Sequence, residues 1–362
     1  MSATTGRWRP AVITLGAALL LVSACAKSED SGSSSTAGPA SSAGAQVAQS
    51  ADPNAKTCTL EQYGGQKVDL KTAKVGFSQS EKEANPFRIA ETQSIKDEAA
   101  KIGIPTANLQ TTNANSQFNK QISDVEQMID SGVQLLVIAP LNSDGWDSVF
   151  AKASTKKVPI ITIDRKINAT SCTDYLTFIG SDFEEQGKRA ADKMAAAMEN
   201  KGSVAILLGS PGNNVTTLRT KGFKDQIAKV APDIKIVFEQ TGQFSREEGQ
   251  KVSEQLLQSN ADINGIYAEN DEMALGAVTA LKGAGKKAGD VKIVSIDGTK
   301  GAVQGIIDGW IYSVIESNPR FGPLAFQTAT KFFNGEPIPE DIIIQDREYD
   351  ESNAKADIGS AY

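Results

Sequence analysis

The sequence predicts an α/β protein of two lobes, each built on a parallel sheet. From Lys74 onward, short apolar runs of strand type alternate with segments of helical period. Runs such as Gln134 to Ala139 (Q-L-L-V-I-A) and Val204 to Leu208 are apolar throughout, as strands covered on both faces are. A series of βα units implies parallel strands with right-handed crossovers, and beyond roughly ten strands one twisted sheet curls or splits. A chain of 362 residues is long enough for two cores.

The elements follow in order. Val75 to Ser78 reads as the first strand, and a helix over 87–102 carries Ile95, Ala99 and Ile102 on one face. A weak strand at 107–109 precedes a helix over 115–131, with Phe118, Ile122, Val125 and Ile129 on one face and Gly132 as its stop. The strand at 134–139, a helix near 145–156 and the strand 160–163 complete the first series. After a strand at 176–179, a second series runs as helix 182–199, strand 204–208, helix 217–230, strand 235–239 and helix 246–258. Strand 265–268, helix 272–282, strand 292–296, a short helix and strand 312–315 continue it, followed by helix 320–334 and strand 342–344.

Composition narrows the function. The chain has no histidine, which excludes Ser-His-Asp and Cys-His catalysis and histidine-based metal sites. Its formal net charge of −7 argues against a nucleic-acid partner. Arg7 and Arg9 followed by the apolar run Ala11 to Val22 form a signal-peptide pattern, too short to span a bilayer. The run ends Leu21-Val22-Ser23-Ala24-Cys25, which resembles the bacterial lipobox and implies cleavage after residue 24 and lipidation of Cys25. Residues from Ala26 to about Ala55, rich in Ser, Ala and Gly, cannot bury a core and read as a flexible tether, within an N-terminal segment over 25–72. With Cys25 lipidated, Cys58 and Cys172 remain as an even pair in an oxidising compartment, and a disulfide between them is expected.

Several strand ends carry polar groups that core packing does not require. Lys74 to Arg88 runs from a strand through a polar loop that presents Asn85, Phe87 and Arg88 at a helix mouth. Asp164 and Arg165 follow the strand I-I-T-I, and Arg219 opens a helix after the loop Gly209 to Asn214. Phe244 lies just past a strand, Asn270 follows I-Y-A, and Asp297 follows V-S-I. Each taken alone is equally ordinary helix-cap or turn chemistry. Together they place carboxylates, amides, guanidiniums and aromatic rings at the strand ends where open α/β sheets hold ligands. That set suits a polyhydroxylated small molecule: carboxylates and amides take adjacent hydroxyls, guanidiniums donate in a planar fork, and rings cover C–H faces.

The strings V-G-F-S-Q, N-P-F-R, D-R, R-T-K-G-F, Q-F-S-R, A-E-N-D-E-M-A-L-G-A and S-I-D-G-T, in this order, resemble the type I periplasmic sugar-binding proteins of the ribose/galactose group. G-F-S-Q, I-A-P-L-N-S-D-G-W and Q-F-S-R-E-E-G-Q are most similar to the galactofuranose-binding branch, while Asn85-Pro86-Phe87 is similar to the ribose binders. The resemblance implies two Rossmann-like lobes joined by a three-stranded hinge, with crossings near Thr177, Glu316 and Ile344. The lobes would then comprise 73–177 with 317–343, and 178–316 with 344–362. It implies a ligand set of Asn85, Phe87, Arg88, Asp164, Arg165, Arg219, Phe244, Asn270 and Asp297, with Ser78, Glu83 and Glu316 as neighbours. Phe87 and Phe244 would sandwich the sugar from opposite lobes.

The implied function is the substrate-binding lipoprotein of an ABC importer, monomeric and held to the outer face of the cytoplasmic membrane. It would deliver a galactofuranose-like hexose, or a pentose such as ribose or arabinose, to a permease and its ATPase. No P-loop is present in this chain, and no cofactor or metal is implied. A sensor that presents the sugar-bound form to a receptor kinase or chemoreceptor is the alternative. A repressor of the same fold would need a helix-turn-helix in place of the leader. An enzyme is not expected, since no carboxylate pair is singled out by spacing.

Overall fold

The computed structural model describes residues 56–259 and 262–362. The expected signal peptide, lipidation at Cys25 and tether to residue 55 lie outside the described residues.

The described chain opens with β1 (Thr57–Cys58) and α1 (Leu60–Tyr63). The first series is β2 (Val75–Gln79), α2 (Pro86–Lys101), β3 (Leu109–Asn113), α3 (Phe118–Asp130), β4 (Leu135–Ile138), α4 (Asp147–Lys156), β5 (Ile160–Ile163) and β6 (Thr177–Ser181). The second is α5 (Phe183–Ala197), β7 (Lys201–Leu208), α6 (Asn214–Val230), β8 (Asp233–Thr241), α7 (Arg246–Ser259), β9 (Gly265–Ala268), α8 (Asp271–Gly283), β10 (Lys292–Asp297), α9 (Lys300–Ile307) and β11 (Ser313–Glu316). The chain ends with α10 (Gly322–Phe333), β12 (Ile338–Pro339), β13 (Asp341–Ile344), β14 (Glu348–Asp350) and α11 (Ala354–Asp357).

Two six-stranded sheets result, ordered β13-β6-β5-β4-β2-β3 and β14-β11-β10-β9-β7-β8. All their neighbours are parallel except β14, which closes one edge antiparallel to β11. Central strands such as β4 and β9 are buried along their whole length, which is why they read as unbroken apolar runs. The first sheet is thus covered by helices on both faces, as is the second, giving the two α/β lobes of the periplasmic binding protein type I fold.

Some elements depart from the sequence reading. The expected strand at 107–109 is a 3₁₀ turn at Thr106–Asn108, and the strand follows as L-Q-T-T-N. It is an edge strand, half exposed, so its polar residues hid it from an apolar count. Helix α6 begins at Asn214 rather than Thr217, capped by Asn213, whose Oδ1 accepts from the Thr216 amide at 3.2 Å. The short strands β1, β12 and β14 carry too few residues to show a period, and all three form by tertiary pairing.

The residues before β2 are joined to the first lobe. Thr57 and Cys58 pair antiparallel with Pro339 and Ile338, Leu70 is buried, and Cys58 is bonded to Cys172 across a sequence separation of 114. Cys172 lies in the loop between β5 and β6.

The chain passes between the sheets three times. All of β6 pairs within the first sheet, so the first passage follows Ser181, and residues 178–181 lie with the first sheet rather than the second lobe. The second leaves β11 after Glu316, and α10 returns to pack on α2, where Gly322 meets the Ser94 carbonyl. Ile344 still pairs with Ser181, so the third passage is Gln345 to Arg347, just beyond the expected point. In β6 the strand continues past the place where its apolar pattern stops. The passages bond to one another: Ser181 and Ser317 hydroxyls lie 3.5 Å apart, and the Asn318 amide donates to Asp346 Oδ1 at 3.3 Å.

Candidate ligand cleft

A narrow cavity lies at the carboxyl ends of both sheets, lined by Glu81, Asn85, Phe87, Arg88, Asp164, Arg165, Val215, Arg219, Phe244, Asn270 and Asp297. All nine residues singled out from the sequence therefore border one space. The lobes touch beside it. The Ser143 amide donates to the Gly212 carbonyl at 3.0 Å, and the Lys166 amide to Asn214 Oδ1 at 3.0 Å. The Arg165 guanidinium lies 5.7 Å from the Phe244 ring centroid, one group from each lobe.

In the first lobe, Asn85 caps α2, its Oδ1 accepting from the Phe87 amide at 2.9 Å, and Pro86 occupies the first helical turn. This cap sets Phe87 and Arg88 at the cavity wall. Arg88 is the centre of a buried ion network: Nη1 donates to Asp164 Oδ2 at 2.6 Å and to Glu91 Oε2 at 2.9 Å, and Nε to Glu81 Oε2 at 3.1 Å. Glu81 also accepts from Arg165 Nη2 at 2.7 Å, so it bridges the two guanidiniums. Burial alone would raise the Glu81 carboxyl, but Arg165 and Arg88 outweigh it and hold it at about 2. Burial dominates at Glu91, pushed up to about 7 against the pull of Arg88. Asp164 sits in the left-handed region at φ 62°, which turns its carboxylate out of the strand line toward Arg88.

In the second lobe, Arg219 is buried on α6. Its Nη1 donates to the Glu269 carbonyl at 2.5 Å, Nη2 to Asp297 Oδ1 at 3.3 Å and Nε to Gln186 Oε1 at 2.9 Å. Two glycines let α6 approach α5 closely enough for this. A Cβ on Gly187 would lie 2.3 Å from the Arg219 carbonyl, and one on Gly222 2.1 Å from that of Glu184. Asp297, at φ 138°, is buried, and burial raises its carboxyl well above the usual range despite Arg219. Asn270 caps α8 through Oδ1 to the Met273 amide at 3.0 Å while its Nδ2 donates to the Phe244 carbonyl at 3.2 Å. That bond holds the Gln243-Phe244 pair, both left-handed at φ 53° and 55°. Gly209 leaves room for the Phe244 ring, since a Cβ there would fall 2.0 Å from Phe244 Cζ.

Capping and cavity lining are thus not alternatives at Asn85 and Asn270, where one side chain does both. Of the three named neighbours, Glu83 is exposed and outside the cavity, while Glu81, in the same S-E-K-E run, lines it. Ser78 is buried within β2 and accepts from Gln121 Nε2 at 3.2 Å. Glu316 ends β11 just before the second passage and accepts from the Arg347 amide at 3.1 Å. Tyr362 joins the site without any sequence signal: its hydroxyl donates to the Asp297 carbonyl at 2.9 Å and its ring lies edge-on to Phe87 at 6.0 Å. No local pattern marks a residue that reaches the site only through the fold.

Chemically, the lining sets three guanidiniums (Arg88, Arg165, Arg219) against three carboxylates (Glu81, Asp164, Asp297), all mutually paired, with aromatic faces from Phe87 and Phe244. Each arginine keeps donor capacity beyond its partners; Arg165 Nε is buried without a hydrogen-bond partner among the described residues.

Comparison with known proteins agrees with the fold. The family model for the periplasmic binding protein domain matches residues 75–337. The galactofuranose-binding protein YtfQ of Escherichia coli strain K12 is 34% identical over 277 residues, 75% of this chain and 85% of that protein. A Mycobacterium smegmatis protein solved with β-D-fucofuranose is 36% identical with a TM-score of 0.75, over 79% of this chain and 93% of that one. The arabinose ABC transporter binding protein of Shewanella sp. ANA-3, bound to α- and β-L-arabinofuranose, is 32% identical with a TM-score of 0.75, covering 79% and 94%. By fold, by family model and by these relatives, the chain belongs to the periplasmic binding protein family.

Proposed function

We propose that the protein is the substrate-binding component of an ABC importer, taking a neutral monosaccharide into the cleft and presenting the closed form to a permease. Asn85, Phe87, Arg88, Asp164, Arg165, Arg219, Phe244, Asn270 and Asp297, joined by Glu81, form its ligand set. One observation carries the reading: every guanidinium in the cavity is already hydrogen-bonded to a carboxyl group of the wall, so the walls offer many hydrogen bonds and no free guanidinium to take an anion. An anionic ligand would bring a charge with no free partner, whereas a ring of hydroxyls donates to carboxylates and accepts from guanidiniums. Phe87 and Phe244 supply the apolar faces for its C–H surfaces. The relatives, which carry galactofuranose, fucofuranose and arabinofuranose in their names or structures, favour a sugar in its furanose form.

Calorimetry tests this. Galactose, fucose, arabinose, ribose and fructose, which all populate furanose forms in solution, are compared with gluconate and glucose 6-phosphate. At least one neutral sugar is expected to bind, and the anions are not. Binding confined to the anions would overturn the reading.

The leader and Cys25 support export and lipid anchoring at the outer face of the cytoplasmic membrane, with the protein acting as a monomer. Mass spectrometry of the mature protein is expected to show a diacylglyceryl group on Cys25, and Cys25→Ser is expected to release the protein into the medium.

A further inference from the structure

Gln186 is buried on the first turn of α5, directly after the first passage between the sheets. Its side-chain bonds all leave its own helix. Oε1 accepts from Arg219 Nε at 2.9 Å, while Nε2 donates to Asp346 Oδ2 at 2.8 Å and to the Glu316 carbonyl at 3.3 Å. The amide orientation is forced, because reversing it would face an oxygen to two oxygens and a nitrogen to a guanidinium. Glu316 ends the strand before the second passage and Asp346 lies in the third. One side chain therefore joins the third passage and the end of β11 to the guanidinium that lines the cavity.

The close contact of α5 with α6 makes this arrangement stiff. Gly187, next to Gln186, packs under the Arg219 carbonyl, and Gly222 under that of Glu184, so neither helix can shift without moving the other. Arg219 has its remaining partners, the Glu269 carbonyl and Asp297, within its own lobe. Gln186 hydrogen-bonds it to the segments that must rotate when the lobes open and close, beside the Phe183 ring at the start of α5, whose centroid lies 5.8 Å from the guanidinium.

We propose that Gln186 is a positioning residue that couples the hinge to Arg219, so that the guanidinium is aimed into the cavity when the passages adopt the closed setting. The coupling rests on the reading of the cavity as the ligand site. Opening the lobes displaces Asp346, draws on the Gln186 amide and releases Arg219 Nε. Ligand capture and closure are then linked through a residue that does not touch the ligand.

Two variants separate coupling from packing. Gln186→Leu fills the space but breaks both ends of the link. Gln186→Glu keeps the acceptor for Arg219 and sets a carboxylate against Asp346, which burial pushes up to about 6 and which Gln186 and Ser181 hydrogen-bond. Glu316 on β11 also faces Asp346, Arg189 on α5 donates to its carbonyl, and Arg347 follows it in the chain.

With a sugar that binds the wild type, Gln186→Leu is expected to weaken binding at least tenfold at every pH. Gln186→Glu is expected to be weak at pH 8 and to recover toward wild type below about pH 6, as a proton shared with Asp346 restores the bond. Binding by both variants within twofold of wild type at pH 8, or an equal loss at all pH values, would overturn the proposal. Small-angle scattering of the ligand-free proteins gives an independent decision. Gln186→Leu is expected to be more open than wild type, and an unchanged curve overturns the coupling even if the wild type binds none of the sugars, a result that would separately refute the proposed ligand class.

Discussion

Asp297→Asn separates binding from folding more cleanly than any other change in the cavity. The carboxylate is buried at the end of β10, paired with Arg219 at 3.3 Å, and it borders the cavity. Asn keeps the size and one acceptor but loses the charge, and it tolerates the φ of 138° better than Ala would. A hydrogen bond to a charged group is worth about 1.5–3 kcal/mol, so losing the charge that takes a sugar hydroxyl should raise Kd about 10- to 100-fold. Stability should move the other way. Burial raises the Asp297 carboxyl well above its ordinary value. A raised acid stabilises the fold at low pH and loses that contribution as pH rises toward its folded value, so near neutrality its ionised form is a cost. Removing it should leave the ligand-free Tm unchanged or higher. Calorimetry and thermal melts on one preparation decide the matter. Unchanged affinity would remove Asp297 from the ligand set, and a Tm several degrees lower with weakened binding would make it a structural residue.

Other perturbations read other parts of the molecule. Arg88→Ala leaves Glu81, Glu91 and Asp164 buried around a missing cation, so it should cost about 3–5 kcal/mol of stability as well as binding, visible as an early denaturant midpoint; a normal midpoint would mean the network is not closed around Arg88. Glu91, Glu269 and Asp271 are pushed by burial to about 7 and Asp346 to about 6, so ligand-free Tm should rise as pH falls from 8 to 5; a flat profile would place these carboxyls in water. Glu81, held at about 2, opposes this only at much lower pH. Cys58→Ser with Cys172→Ser opens a closed loop of 114 residues and should cost about 2–5 kcal/mol with Kd unchanged, because neither cysteine borders the cavity; altered affinity would tie the staple to the cleft.

The fold was legible because parallel strands buried on both faces leave unbroken apolar runs, as in Leu135–Ile138 and Gly265–Ala268. What escaped was set by pairing rather than pattern: the polar edge strand Leu109–Asn113, and the added strand Glu348–Asp350 held by β11. Much of the cleft was legible for a similar reason. A strand end is a fixed place in this architecture, so Asp164, Asn270 and Asp297 could be located by counting strands. Glu81 could not be, because S-E-K-E offers two acids and only the loop's path decides that Glu81 meets Arg88 and Arg165. Gln186 and Tyr362 reach the cleft's residues from distant sequence, and nothing in their neighbourhood signals it.

The cavity concentrates features that a stable fold would avoid. Asp164, Phe244 and Asp297 all have positive φ, and burial disfavours the charge on Asp297. Such backbone positions cost about 1–3 kcal/mol each and persist only where the surroundings over-determine them. Here the surroundings are identifiable: Asn270 Nδ2 holds the Phe244 carbonyl, Arg88 holds the Asp164 carboxylate, and Tyr362 holds the Asp297 carbonyl. Each strained group is fixed by a partner that is not itself strained, so the hydrogen-bonding atoms are aimed before any ligand arrives. A hydroxylated ring entering this space would find its partners already oriented, and the entropy of ordering them would not be charged to binding. A mutation of Asn270 should therefore weaken binding even if its own side chain makes no ligand contact, by freeing the Phe244 loop.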